Sequence, residues 1–356
     1  MRSSLEIRPG SGLSRRGVLL GAACLLPLGL RRAEAAGRPW PFFVNVNFQG
    51  LEGGSVLPGR EGTDYFAAGP ADLAYVAARA DGPSRLPFKW ERLQPQPGGP
   101  LDPVYLAQIK SVADAAARLR RTVVLDCHNY MHRLVDGTDR AVDGRDGALT
   151  RHHLADLWTR VASAFARHPG VSGWDVMNEP QGLNDGQDLA AIMQAAIDAI
   201  DKVETSKVVY VEGDGYSSAA KWVAANPRYP LEDRHDRIVY SAHCYPDQDG
   251  SGTHFDYAAL AAHGIPDTVL VDRTRGFAQW CAERRLRGHI GETNVGIDDP
   301  RWLDVLRQGL TFWKAQGLPV NLWMYGANFG PNPYNLFPVS GREAPQWGVV
   351  KTVVGS

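Results

Sequence analysis

The sequence predicts an α/β protein, a single-domain (β/α)8 (TIM) barrel, on two observations. Short β-branched or apolar runs alternate with longer helical patterns eight times between residues 37 and 356. Several of those runs also end in polar residues, as they must if parallel strands converge on one functional mouth. An open doubly wound sheet would alternate too, but it usually carries a Gly-rich phosphate-binding turn after its first strand. No such turn with dinucleotide spacing is present.

The elements follow in order. Phe42–Asn47 reads as the first strand and Ala71–Ala80 as its helix. Arg85–Phe88 is the second strand, followed by Val104–Arg120 with alanines and leucines at helical spacing. Thr122–His128 is the third strand, with the helix His153–Arg167 after it. Val171–Asn178 and Leu189–Val203 form the fourth pair, and Lys207–Glu212 with a short helix near Ala219–Ala225 the fifth. Ile238–Tyr245 pairs with Asp272–Leu286, Gly288–Glu292 with Trp302–Gln316, and Pro319–Tyr325 with a weak last helix near Gln346–Val353. Gly-, Asp- and Pro-rich loops at 136–149, 246–257 and 328–338 each follow the end of a strand, on the face where a barrel builds its site.

Residues 1–36 read as a leader. Arg15-Arg16 precede a mostly apolar run from Val18 to Leu30, and Ala33-Glu34-Ala35 offers a small-residue cleavage site. Paired arginines ahead of a modest apolar run suggest twin-arginine export to the periplasm or medium. The run is short of the ~20 residues that span a bilayer, and Gly21-Ala22-Ala23 ahead of Cys24 fits lipidation poorly. Residues 37–356 are the expected catalytic barrel.

Composition narrows the partners. Residues 1–35 hold six arginines and two glutamates against a whole-chain net charge of −1, so cleavage would leave −5. A mildly acidic chain has no electrostatic footprint for nucleic acid or anionic lipid, and a neutral polymer fits it better. Three cysteines remain, Cys127, Cys244 and Cys281, without zinc-binding spacing or the count of a disulfide framework, and all are read as structural. A monomer without cofactor is expected.

The strand ends are chemically dense. The third strand ends in His128-Asn129, the fourth in Asn178-Glu179-Pro180, the sixth in His243-Cys244-Tyr245 and the seventh in Glu292-Thr293-Asn294. The eighth carries Trp323, and Arg92 follows the second. Two carboxylates facing each other across a mouth suit glycosidic cleavage, where one protonates the leaving oxygen and the other attacks the anomeric carbon. As separate salt-bridge partners, Glu179 and Glu292 would leave the Arg, His, Tyr and Trp at neighbouring strand ends without a common reason. Metal binding by His128 and His243 lacks a third ligand at suitable spacing.

This set resembles glycoside hydrolase family five, the cellulase family, and within it the subfamily that includes fungal endoglucanases. The resemblance runs from about Val44 to Tyr325 and includes Gly62-Thr63-Asp64-Tyr65 and Asp249-Gly250-Ser251-Gly252-Thr253. It implies Glu179 as general acid/base and Glu292 as nucleophile of a retaining hydrolase. It further implies substrate contacts from Arg92, His128, Asn178, His243, Tyr245 and Trp323. Thr293-Asn294 stands where the family usually has an aromatic after the nucleophile, and Gly326-Ala327-Asn328-Phe329 where it is often tryptophan-rich. The implied activity is internal cleavage of a β-1,4-glucan. Another β-linked polysaccharide, such as mannan, mixed-linkage glucan or a bacterial exopolysaccharide, and an inactive sugar-binding barrel are the alternatives.

Overall fold

A computed structural model of the protein describes residues 40–183, 186–330 and 332–355. The expected leader, residues 1–36, lies outside them. Eight parallel strands close on themselves: β1 (Val44–Phe48), β2 (Ser84–Phe88), β3 (Val123–Cys127), β6 (Val171–Asp175), β7 (Val208–Glu212), β8 (Ile238–His243), β9 (Arg287–Thr293) and β10 (Val320–Tyr325). Around the cylinder the order is β1-β10-β9-β8-β7-β6-β3-β2, so the last strand seals the first, with Val44 opposite Val320 and Asn45 opposite Asn321. The (β/α)8 barrel expected from the alternation is the observed fold, and the described residues make a single domain.

Strand alternation sorts the side chains. In β1, Val44, Val46 and Phe48 join the large apolar core, whereas Asn45 and Asn47 make hydrogen bonds with neighbouring elements. A small apolar plug of Val124, Tyr210 and Val239 is separate from that core. His289 and Asn321 bond each other at 2.9 Å, and Arg85 with its carboxylates follows nearer the mouth. The polar residues therefore concentrate toward the C-terminal ends of the strands, and that concentration fixes where the chemistry can be.

The main helices are built conventionally. α3 (Pro103–Arg118) opens on Asp102, whose side chain accepts from the Tyr105 amide, with Pro103 in the first turn. Its buried Tyr105, Ile109, Val112 and Ala116 recur at helical spacing. α9 (Arg301–Gln316) stops at Gly317, whose φ of 70° is the left-handed conformation that ends helices and suits glycine. α4 (Arg151–Phe165), α5 (Leu189–Asp201), α8 (Val269–Arg284) and α10 (Gln346–Val354) complete the outer layer with α1 (Pro70–Ala77) and the short α6 (Trp222–Ala225). Trp158, Trp222, Trp302 and Trp313 are fully buried, so these helical tryptophans are packing residues.

Three short elements were not expected from the sequence. α2 (Trp90–Leu93) turns immediately after β2, and α7 (Tyr257–Ala262) lies in the loop after β8. An antiparallel hairpin, β4 (His132–Val135) and β5 (Thr138–Ala141), rises from the loop after β3. Such pieces are too short for a periodic signal. Asp136 and Gly137, both at positive φ, make the hairpin turn.

Candidate active site

The mouth of the barrel is organised by a residue the sequence reading passed over. Arg85, inside β2 and 1% exposed, uses all its guanidinium N–H groups. Its Nε donates to Asp175 at 2.7 Å, Nη1 to Asn47 at 2.9 Å and Glu292 at 2.8 Å, and Nη2 to Asn178 and Glu212 at 2.8 Å each. Asp126 lies 3.2 Å from Nη2. Four carboxylates thus share one buried cation, which stays charged because the field of those carboxylates outweighs its desolvation.

Glu292 closes β9, and its other oxygen accepts from the Tyr245 hydroxyl at 2.9 Å. Burial works against its charge, but His243 and Arg85, together with the Tyr245 bond, hold its pKa below the ordinary value. The Tyr245 ring stacks on Tyr334, with centroids 5.7 Å apart and planes inclined by 6°, so the loop after β10 fixes the hydroxyl that steadies Glu292.

Glu179 follows β6 at a φ of 43°, a left-handed conformation uncommon for a side chain of its size and typical of strained functional positions. Its backbone N–H donates to Glu212 Oε2 at 2.7 Å, which secures the conformation. His243 stands between two carboxylates, with Nδ1 2.7 Å from Glu179 Oε1 and Nε2 3.0 Å from Glu212 Oε1. Burial would discharge this ring, yet Glu212 and Glu292 raise its pKa well above the usual 6.5. Burial raises Glu179 despite the His243 contact, and raises Glu212 to about 8. Oxygens of Glu179 and Glu292 and a His243 nitrogen all lie within 4.8 Å of one another.

His128 completes the opposite wall. Its Nδ1 is 2.8 Å from Asp126 Oδ2, and Nε2 is within 3.3 Å of the Asn178 amide and 3.2 Å of the Tyr130 hydroxyl. Burial depresses its pKa to about 3, so this ring is neutral at ordinary pH. Trp323 stacks on it, centroids 5.4 Å apart and planes within 16°.

The family model for cellulase, glycosyl hydrolase family 5, matches residues 84–329. The chain belongs to that family. As a family-5 chain it is a glycoside hydrolase. It is 30% identical to the probable endo-β-1,4-glucanase B of Aspergillus oryzae over 84% of its own length and 86% of that protein's. It is 28% identical to endo-β-1,4-glucanase B of Aspergillus niger over 90% and 92% of the two chains. Among solved structures it is similar to Pseudomonas stutzeri endoglucanase Cel5A in complex with cellobiose, with a TM-score of 0.82, 29% identity, and coverage of 89% and 95%. The structure of XacCel5A in complex with cellopentaose gives 0.78, 30%, 87% and 98%.

Within the family-5 barrel, seven of the eight residues singled out from the sequence meet at the mouth: Glu179, Glu292, His128, Asn178, His243, Tyr245 and Trp323. Arg92 does not. It sits in α2, 2% exposed, and donates to the carbonyls of Leu51, Gly54, Val56 and Pro58. The helical turn after β2 points it at the loop following β1, and the arginine at the mouth, in contact with Glu292, is Arg85 instead. Of the aromatics near the loop tops, Trp90 is fully buried and Tyr65 lies under the Arg92 guanidinium, 4.4 Å from its centre. Tyr130 is half-buried in the cleft, and Phe329 is 43% exposed.

Sequence reasoning missed Arg85 and Glu212. Both had a signal: a charge among Leu86, Pro87 and Phe88 in one strand, and a carboxylate ending Val-Tyr-Val in another. Asn294, of the Thr293-Asn294 pair that stands where the family usually has an aromatic, is fully buried and donates to the carbonyls of Trp323 and Tyr334. It ties the end of β9 to the loop that supports Tyr245.

Proposed function

We propose that this glycoside hydrolase is an exported endo-β-1,4-glucanase that works with net retention, Glu179 acting as acid/base and Glu292 as nucleophile. The observation that carries the mechanism is the approach of the two carboxylates, with oxygens inside 4.8 Å. Retaining pairs stand about 5–5.5 Å apart, while an inverting pair needs about 6.5–9.5 Å to admit a water. The substrate rests on the relatives, whose names specify β-1,4-glucan and whose structures hold cellobiose and cellopentaose. Export rests on the paired arginines and apolar run of the leader. No helix among the described residues is long and apolar enough to cross a membrane.

The steps follow from the contacts. Glu292, anionic beside Arg85 and His243, attacks the anomeric carbon while Glu179 protonates the departing oxygen. His243 against Glu179 Oε1 leaves Oε2 to carry that proton. Once the glycosyl ester forms, the charge of Glu292 is gone, Glu179 becomes more acidic, and it can take a proton from water. Asn178, held by Arg85 and facing His128, is placed for the sugar 2-hydroxyl, and Trp323 for the ring face.

The β anomer should be the first product seen by proton NMR within minutes of mixing with cellopentaose, before mutarotation; the α anomer would overturn retention. Release of reducing ends should be higher on β-1,4-glucan than on mannan, xylan or a bacterial exopolysaccharide.

The pH profile of kcat/KM should be a bell. It falls below the depressed pKa of Glu292, which must be ionised, and above the raised pKa of Glu179, which must be protonated. Glu212→Gln removes the carboxylate that keeps His243 cationic. Both catalytic carboxyls then lose a nearby positive charge, and both limbs should move to higher pH. Unmoved limbs would mean that Glu212 only supports the Glu179 backbone.

A further inference from the structure

Glu52 is a carboxylate at the mouth that the proposed mechanism does not use. It follows β1 in Gly50-Leu51-Glu52-Gly53-Gly54, keeps only 9% of its surface exposed, and binds the Gly50 amide through Oε2 at 2.9 Å. Oε1 makes no hydrogen bond to any other described residue, and it is not one of the fully enclosed polar atoms. Burial, aided by repulsion from Asp126 and Glu292, raises the carboxyl to about 7. Such a group is costly to hold with one oxygen bonded to no other residue, unless that oxygen has a partner in the working complex.

The loop that carries it is braced from below. Arg92 donates to the carbonyls of Leu51, Gly54, Val56 and Pro58, and the Tyr105 hydroxyl donates to Leu51 as well. Glu52 is therefore preorganised, and this gives the misplaced Arg92 a positioning role.

The strand order says which part of the substrate reaches it. Glu179 follows β6 and Glu292 ends β9; β1 lies beyond β9 on the side away from β6, three strands from β6 by the shorter path. Glu179 delivers its proton to the leaving oxygen, so the departing chain lies on its side and the retained chain runs toward β10 and β1.

We infer that Glu52 is a specificity-determining residue for the retained sugar next to the one under attack, its Oε1 hydrogen-bonding a hydroxyl of that sugar. The inference rests on the assignment of Glu179 and Glu292. Because the carboxyl titrates near neutrality, it can donate or accept in that bond.

Two mechanism-based reagents test it on the full chain. A dinitrophenyl 2-deoxy-2-fluoroglucoside fills only the attacked position, whereas the corresponding cellobioside also fills the neighbouring one. Glu52→Ala should be labelled by the glucoside at the parent rate and by the cellobioside about tenfold more slowly. Glu52→Gln, which keeps shape and the Gly50 contact, should fall between and serves if the alanine variant folds poorly. Parallel slowing with both reagents, or slowing with neither, would overturn the subsite. Failure of the parent to take label on Glu292, read by peptide mass spectrometry, would instead overturn the nucleophile.

Discussion

Replacing Glu292 with glycine should lower kcat on β-1,4-glucan by about 10⁴-fold or more, equivalent to some 5 kcal/mol of transition-state stabilisation. The carboxylates gathered around Arg85 cannot take over. Glu212 is fully buried behind His243, and Asp126 and Asp175 face Arg85. The cavity left by the side chain should admit azide, and added azide should restore turnover of an activated aryl cellobioside with the α-glycosyl azide as product. Glu179→Gly should behave differently. Its loss slows natural glucan by about 10³-fold but an activated aryl cellobioside far less, since that leaving group needs no proton. Azide then attacks the glycosyl–enzyme and gives the β-glycosyl azide. A loss under tenfold in the Glu292 variant, or the same azide anomer from both variants, would refute the assignment.

Why the site was largely legible before any coordinates is a matter of where barrel strands end. Parallel strands place their C-terminal residues on one rim, so His128, Glu179, His243, Glu292 and Trp323 could be brought together across nearly 200 residues by counting strands. The same logic fails one step inside the rim. Arg85 acts from within β2, where a charge looks like an error in an apolar run rather than a hub, whereas Glu212 ends β7 as His243 ends β8 and was passed over on the rim itself. Arg92, lying past the strand in a motif suited to surface chemistry, took the role in place of Arg85. Only side-chain direction separates the two arginines, and α2 reverses it over a single turn. The hairpin β4–β5 was lost for a related reason: strands of four residues have too few positions to display alternation. Residues outside the family's usual pattern also proved structural. Asn294, in the Thr293-Asn294 pair after the nucleophile, is fully buried and clasps the loop after β10.

Arg85→Met is the substitution with the largest expected effect on stability. The side chain is of comparable length and apolar, so packing changes little while the cation is removed from Asp126, Asp175, Glu212 and Glu292. Breaking a buried ion pair by deleting one partner costs about 3–5 kcal/mol, a large share of a typical total of about 5–15 kcal/mol. Arg85→Lys should recover only part of it, because a point charge with three donors cannot reach five acceptors in a plane. The pH dependence identifies the cause. Asp126 already sits near 7 and Glu212 near 8 in the folded protein, both above their ordinary values through burial. Groups raised in this way bind more protons folded than unfolded, so their contribution to stability is greatest at low pH and is lost as pH rises toward the folded values. Without Arg85 those values climb further, and urea midpoints should separate from the parent's more at pH 8 than at pH 5. Arg92→Ala offers the contrast: it removes bonds to carbonyls and no carboxylate partner, so its cost, about 1–3 kcal/mol, should not vary with pH over that range. An Arg85→Met variant with the parent's urea midpoint at pH 8 would show that the four carboxylates are neutralised by protons instead, and the arginine's part in holding Glu292 ionised would have to be abandoned.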